Sequence, residues 1–234
     1  MRHLLLPLLL FSVTCVAMAQ SLPGFKPSGI FDEQQMVIEN SPADTRILIN
    51  APLTGFGDSN RVTLVFYALP NGNTIEQTVG KRMKKGDDWH YNIQHIGAQT
   101  RFIREKIKDR TVVVAYVEAK QKSWPAWKAA TPGYQVKVDE LVGEVTALFA
   151  KWNPEIVLDG HSGGGRFIFS YLDARPEVPA NVVRIAFLDS DYGYEDSVYG
   201  PKLIRWLKKE NPGYLCTIAY NDSVALYNGK PVVS

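Results

Sequence analysis

The sequence predicts an α/β fold: a mostly parallel, doubly wound sheet with helices on both faces, incomplete at its C-terminus. Three observations predict it. Short, continuous apolar runs recur along the chain, as in strands buried on both faces. Stretches with helical apolar spacing lie between them. Residues 156–172, "IVLDGHSGGGRFIFSYL", pass from an apolar run through a Gly-rich turn into a second apolar run. Strands alternating with helices imply βαβ units with right-handed crossovers. Ligands of such sheets bind beyond the carboxyl ends of the strands.

The elements follow in order. Residues 1–19 have a basic start at Arg2 and His3, an apolar run from Leu4 to Val16, and small residues at Ala17 and Ala19. This is the pattern of a secretory signal cleaved after Ala19. Residues 20–35 are rich in Pro and Gly and read as a lead-in, and residues 36–234 as one domain. "TRILINAPL" and "RVTLVFYAL" are β-branched runs bounded by turn residues. "TVVVAYVEA", "EIVLDG", "VVRIAFLD" and "YLCTIAY" are further strands. Trp89, Ile93, Ile96, Phe102, Ile103 and Ile107 recur at helical spacing, with Asp87 or Asp88 as N-cap. Val138, Leu141, Val142, Val145, Leu148, Phe149 and Trp152 mark a second helix, stopped at Asn153-Pro154. Leu203, Ile204, Trp206 and Leu207 mark a shorter one, ending at Asn211-Pro212.

Composition narrows the function. The 234 residues carry a formal net charge of +2, with both signs mixed along the chain. The densest basic patch, "GKRMKKGDD", contains its own two Asp and reads as a solvated loop. No concentrated basic face suggests a nucleic-acid partner. The apolar run of the signal is shorter than the roughly 20 residues of a spanning helix, so no stable membrane span is expected after cleavage. Export to the periplasm or the extracellular space follows. Cys15 leaves with the signal, and Cys216 remains as an expected buried thiol with no internal disulfide partner. The His, Cys and Asp spacings match no metal site, and no cofactor is expected.

Gly160-His161-Ser162-Gly163-Gly164 fits G-x-S-x-G between a strand and a helix. A sharp strand-to-helix turn lifts Ser162 clear of the sheet, and small neighbours at Gly160 and Gly164 let the chains pass. The Gly163 amide at the helix N-terminus can then stabilise an oxyanion. His161 is expected to project away from this site. The phosphate readings fail on residue identity. Ser162 stands where a dinucleotide fingerprint needs its second Gly, and Arg166-Phe167 where a Walker loop needs Lys and a hydroxyl.

On these residues the chain resembles the α/β-hydrolase fold over most of its length after the signal. "DGHSGGG" occupies the nucleophile elbow, and "VTLVFYALPNGNT" resembles the strand and loop supplying the other oxyanion donor. "ALPNGNT" departs from the usual His-Gly signature, so the donor falls between Asn71 and Asn73. The resemblance implies that the triad acid and then the base follow the Ser. Strand counting favours Asp222 as the acid, with Asp189 and Asp191 as alternatives. The four histidines are His3, His90, His95 and His161, so no base follows Asp222. The sequence is therefore expected to be truncated. DNA downstream of Ser234 encoding a strand, a helix and a loop His would bear this out, and a stop codon there would contradict it. The other explanation is a complete fold that is inactive or uses a different base.

The implied activity is an exported serine hydrolase, of esterase or peptidase type, cleaving an ester or amide through acyl-Ser162. Its partner would be a small ester, amide or glycan-linked substrate. Trp124 and Trp127 in a long loop, with Tyr192 after a later strand, would form a pocket wall for a sugar or aromatic acyl group. Ordinary loop packing is the competing reading. A non-catalytic protein binding a glycan or peptide through these aromatic loops is the alternative from another class.

Overall fold

A computed structural model describes residues 21–219 and the backbone of 226–227 and 230–231. Its main sheet contains β1 (Lys26–Pro27), β2 (Glu33–Ile38), β3 (Thr45–Pro52), β4 (Arg61–Ala68), β5 (Arg110–Ala119), β6 (Glu155–His161), β7 (Val182–Leu188) and β8 (Tyr214–Ile218). The spatial order is β1-β2-β3-β5-β4-β6-β7-β8. The pairs from β5 through β4, β6 and β7 to β8 are all parallel. β1, β2 and β3 join antiparallel on the β5 side. The sheet is thus mostly parallel and doubly wound, as the sequence predicts.

Among the described residues six α-helices flank it: α1 (Ile75–Val79), α2 (Ile96–Lys106), α3 (Trp124–Ala130), α4 (Tyr134–Ala147), α5 (Gly165–Asp173) and α6 (Asp196–Leu207). One sheet face presents Leu64, Phe66, Leu158 and Ile185 to a core shared with Trp127 of α3, Leu141 of α4, Phe167 of α5 and Leu203 of α6. The other presents Tyr67, Val112, Val114 and Tyr116 to Ile75 of α1 and Ile96 of α2. Burial on both faces explains why residues 112–117 of β5 form a continuous apolar run rather than an alternating one. Local signals set the ends of the helices. Thr74 and Gln77 form a capping box on α1, and Ser123 caps α3 with Pro125 in its first turn.

Four expectations change. The lead-in is part of the domain: it supplies β1, and Leu22 and Phe25 enter the core. Glu33 on β2 is buried, and Arg101 Nη2 and Arg104 Nη1 of α2 each donate to its carboxylate at 3.0 Å. Asn50 Nδ2 of β3 donates to it as well, at 3.1 Å. This charge is buried because it is paired.

The predicted 89–107 helix is broken. Asp88 caps a short 3-10 turn at Trp89–Asn92, and His95, at φ +50°, starts α2 afresh. Only Ile96, Gly97 and Thr100 of α2 are buried, while Trp89, Ile93, Phe102, Ile103 and Ile107 are exposed. The expected loop after β5 folds into α3, whose two Trp are core residues. Finally, Cys216 is only partly buried, on the strand that ends the sheet among the described residues.

Candidate active site

The carboxyl ends of β4, β6 and β7 lie side by side. Ala68 pairs with Gly160, and His161 with Leu188. The loop after β4, Ser162 after β6 and Asp189 after β7 therefore share one edge of the sheet.

Ser162 lies between β6 and α5, in a 3-10 turn spanning Ser162–Gly164. His161 is extended, whereas Ser162 is left-handed at φ +50°. A non-Gly residue in that region is uncommon and strained, and persists where the surroundings enforce it. Here glycines enforce it. A Cβ on Gly160 would lie 2.9 Å from the backbone carbon of Gly164. One on Gly164 would meet the carbonyl of Ala68, and one on Gly165 the carbonyl of Ser190. Ser190 in turn donates from Oγ to the Gly160 carbonyl at 2.8 Å. The turn is packed against backbone on three sides. Gly165→Ala is expected to destabilise the protein by about 1–3 kcal/mol, since the obstructing atom is a fixed carbonyl. A urea titration measures this through the midpoint, and an unchanged midpoint would contradict it.

The loop after β4 closes over the same turn. The side-chain amide of Asn71 covers Gly163, where a Cβ would collide with it. Asn71 Oδ1 accepts from the Trp124 amide at 3.2 Å, which fixes the side chain. Within this loop, Leu69 N–H donates to Val117, Gly72 N–H donates to Lys122, and Pro70 has no N–H. Asn73 is buried. Gly163 belongs to the first turn of the helical segment, where N–H groups lack intrahelical partners.

The remaining expected residues separate. Asp222 lies outside the described residues. Asp189 is half-buried at φ +49°, and its N–H donates to Ile218 at 2.6 Å, which ties the end of β7 to β8. Asp191 is exposed and turns the chain through its carbonyl to Tyr194 N–H. Tyr192 is exposed on this edge, and its carbonyl accepts from Arg166. Trp124 and Trp127 do not form a pocket wall. They are 2% and 1% exposed, packed edge to face at 5.3 Å, and Trp124 also packs on Phe167. Trp127 Nε1 donates to the Ala43 carbonyl at 2.7 Å. Both are buried because α3 is amphipathic and turns them to the sheet.

The described histidines each have other partners. His90 bonds Asp88, and His95 bonds Asn92 at 2.8 Å. His161 Nδ1 lies 2.5 Å from Gln94 Nε2, which also donates to Tyr67 at 3.1 Å. Burial lowers the pKa of His161, and the charge of Asp189 opposes this.

One residue of this edge was not read from the sequence as a site. Asp159, two positions before His161, lies beside Tyr67 in the register. Its Oδ1 is buried without a hydrogen-bond partner, and burial pushes its pKa up to about 7. A hydrogen bond from the Gly160 backbone and the charge of Arg184 oppose the shift without cancelling it. A charged residue in an otherwise apolar strand was the available signal. Among the described residues, no cluster of His, Cys, Asp and Glu could hold a metal ion, and no helix is long and apolar enough to cross a membrane.

Fold and site together define a class: a doubly wound α/β protein with a tight strand-to-helix turn, left-handed at Ser162, at the end of a central strand. No family model matches the sequence, and no curated protein matches it. Among solved structures, the chain is similar to a thermostable esterase, with 12% identity and a TM-score of 0.42. That match covers 85% of this chain and 55% of the esterase. It is also similar to a zinc-bound, cold-adapted esterase from an Arctic intertidal metagenomic library, with 12% identity and a TM-score of 0.38, covering 79% of this chain and 70% of that one. Prolyl oligopeptidase B from Galerina marginata is similar over 81% of this chain and 24% of its own, with 10% identity and a TM-score of 0.35. Likenesses this distant carry no argument about substrate or site, and the class rests on strand order and elbow geometry.

Proposed function

We propose that this chain is an exported serine hydrolase of the α/β-hydrolase fold, of esterase or peptidase type, cleaving an ester or amide through acyl-Ser162. The left-handed backbone of Ser162, held by glycines that admit no Cβ, carries the reading. Strain of this kind is stored where a side chain must stand free for chemistry. Ser162 Oγ attacks the carbonyl carbon. The Gly163 and Asn71 amides receive the developing oxyanion, each such donor being worth about 2.7–4 kcal/mol. Asp222 or Asp189 orients the base, which accepts the Ser162 proton and passes it to the leaving group. His90, His95 and His161, bonded as described, are not assigned that role. Export rests on the signal pattern of residues 1–19.

A panel of p-nitrophenyl esters and aminoacyl anilides, offered to the protein made from its complete reading frame, tests the proposal. Turnover of either class, with saturation, supports it and separates esterase from peptidase. The separate histidine pairings favour a second reading, a non-catalytic binder on the same fold. Saturable glycan or peptide binding with no turnover would favour that reading.

A further inference from the structure

Gln94 ties the turn at Ser162 to the layer on the opposite face of the sheet. Side chains alternate along β6, and Gly160 abuts the backbone of Gly164 and Gly165 on the α5 side. His161 therefore projects to the other face, which Tyr67 also lines. Gln94, near the end of the α1–α2 connection, meets it there. Its Nε2 lies 2.5 Å from His161 Nδ1 and donates to the Tyr67 hydroxyl at 3.1 Å. A side-chain amide nitrogen is a donor only. His161 Nδ1 therefore accepts, and the imidazole carries its proton on Nε2.

Gln94 is itself fixed. Gln99 Nε2 of α2 donates to its carbonyl at 2.7 Å. His95, next in the chain, is left-handed, and a Cβ on Gly80 would lie 2.9 Å from its Cα. Asp88, earlier in the connection, accepts from Gln77 of α1 at 2.8 Å. The connection is thus tied to α2 and to α1, on either side of Gln94. Gln94 Oε1, by contrast, is buried with no hydrogen-bond partner among the described residues. A buried acceptor left unpaired is unfavourable and calls for a reason. An apolar side chain at this position would avoid that cost, but it would also remove the donor to His161.

We infer that Gln94 is a positioning residue for Ser162: by donating to His161 Nδ1 it holds the neutral, Nε2-protonated imidazole, and with it the peptide that leads into Ser162. This rests on the hydrolase reading for its effect on turnover, though not for the tautomer. Glycines fix the turn from the α5 side, and the Gln94–His161 bond fixes it from the other. A reacting group misplaced by about 1 Å can cost about a hundredfold in rate. The bond therefore acts on kcat rather than on substrate binding.

The test uses the protein from its complete reading frame with two replacements. Gln94→Leu removes the donor at similar size, and Gln94→Glu replaces it with an acceptor. The first readout is the His161 tautomer by nitrogen NMR of the imidazole, which needs no turnover. The parent should show a bare Nδ1 and a protonated Nε2, and Gln94→Glu should place a proton on Nδ1. A parent protonated at Nδ1, or an unchanged ring in Gln94→Glu, would overturn the inference. The second readout is hydrolysis of a p-nitrophenyl ester that the parent turns over. Gln94→Leu should lower kcat at least about tenfold, with KM within about twofold. In a His161→Leu background the same replacement should have no further effect, because Gln94 acts through the imidazole. Unchanged kcat in Gln94→Leu, or an equal further loss in the His161→Leu background, would also overturn it. Turnover by a parent protonated at Nδ1 sinks only this inference. No turnover by a parent with the expected tautomer sinks the hydrolase reading and leaves the bond standing.

Discussion

Ser162→Ala is expected to lower kcat on any ester substrate at least about a thousandfold, because the nucleophile and its base act as one unit. KM is expected to change little, since Ser162 Oγ contributes to the transition state rather than to ground-state binding. Stability is expected to move differently with the replacement. Ala at φ +50° carries the same strain as Ser, whereas Gly does not. Ser162→Gly should therefore be as inactive as Ser162→Ala yet more stable than the parent by about 1 kcal/mol. Thermal unfolding of the three proteins checks this. A Ser162→Gly variant less stable than the parent would mean that the left-handed backbone is not strained.

Asp159→Asn is the second large effect, and it depends on pH. The parent carboxyl holds its proton in the folded state up to about pH 7, whereas the unfolded chain releases it near the ordinary value of 3.8. Below about pH 4 both states are protonated, and the site contributes no pH dependence. As pH rises from 4 to 7 only the unfolded chain ionises, so stability falls; above 7 the loss is complete. Each pH unit separating the two values is worth about 1.4 kcal/mol, so the loss reaches up to about 4 kcal/mol. Asn cannot ionise. The variant should match the parent at pH 4 and exceed it at pH 8 by up to that amount. Tyr67 on β4 and Arg184 on β7 are ionisable groups that act on Asp159. Equal denaturation midpoints at pH 8 would show that the carboxylate is solvated.

Most of the sheet was legible because its strands are apolar beyond doubt. "TVVVAYVEA" has no polar face to confuse it, and β5 is buried on both sides. The elbow was legible because three adjacent features agree: a strand, glycines where chains cross, and an apolar helix. β2 was not legible. "EQQMVI" begins with three polar residues, and Glu33 and Gln34 are buried. The partners that make Glu33 tolerable, Arg101 and Arg104, lie 68 and 71 residues away.

Trp124 and Trp127 illustrate a second limit. An aromatic cluster after a strand reads as a pocket wall until the segment is known to be helical, and Ser123-Trp124-Pro125 was the overlooked start signal. Trp89 is the converse. Spacing placed it in one helix with Ile93 and Ile96, but the left-handed His95 breaks the period, and Trp89 stands in solvent. Asp222 and the base of a triad were read from an order of elements and not from contacts, and the described residues do not include Asp222.

The central claim is that Ser162 is a nucleophile. The direct measurement is mass-spectrometric mapping of a fluorophosphonate adduct on the protein made from its complete reading frame. The expected result is one adduct, on Ser162, absent from Ser162→Ala. An adduct on another residue, or undiminished labelling of Ser162→Ala, would contradict the account.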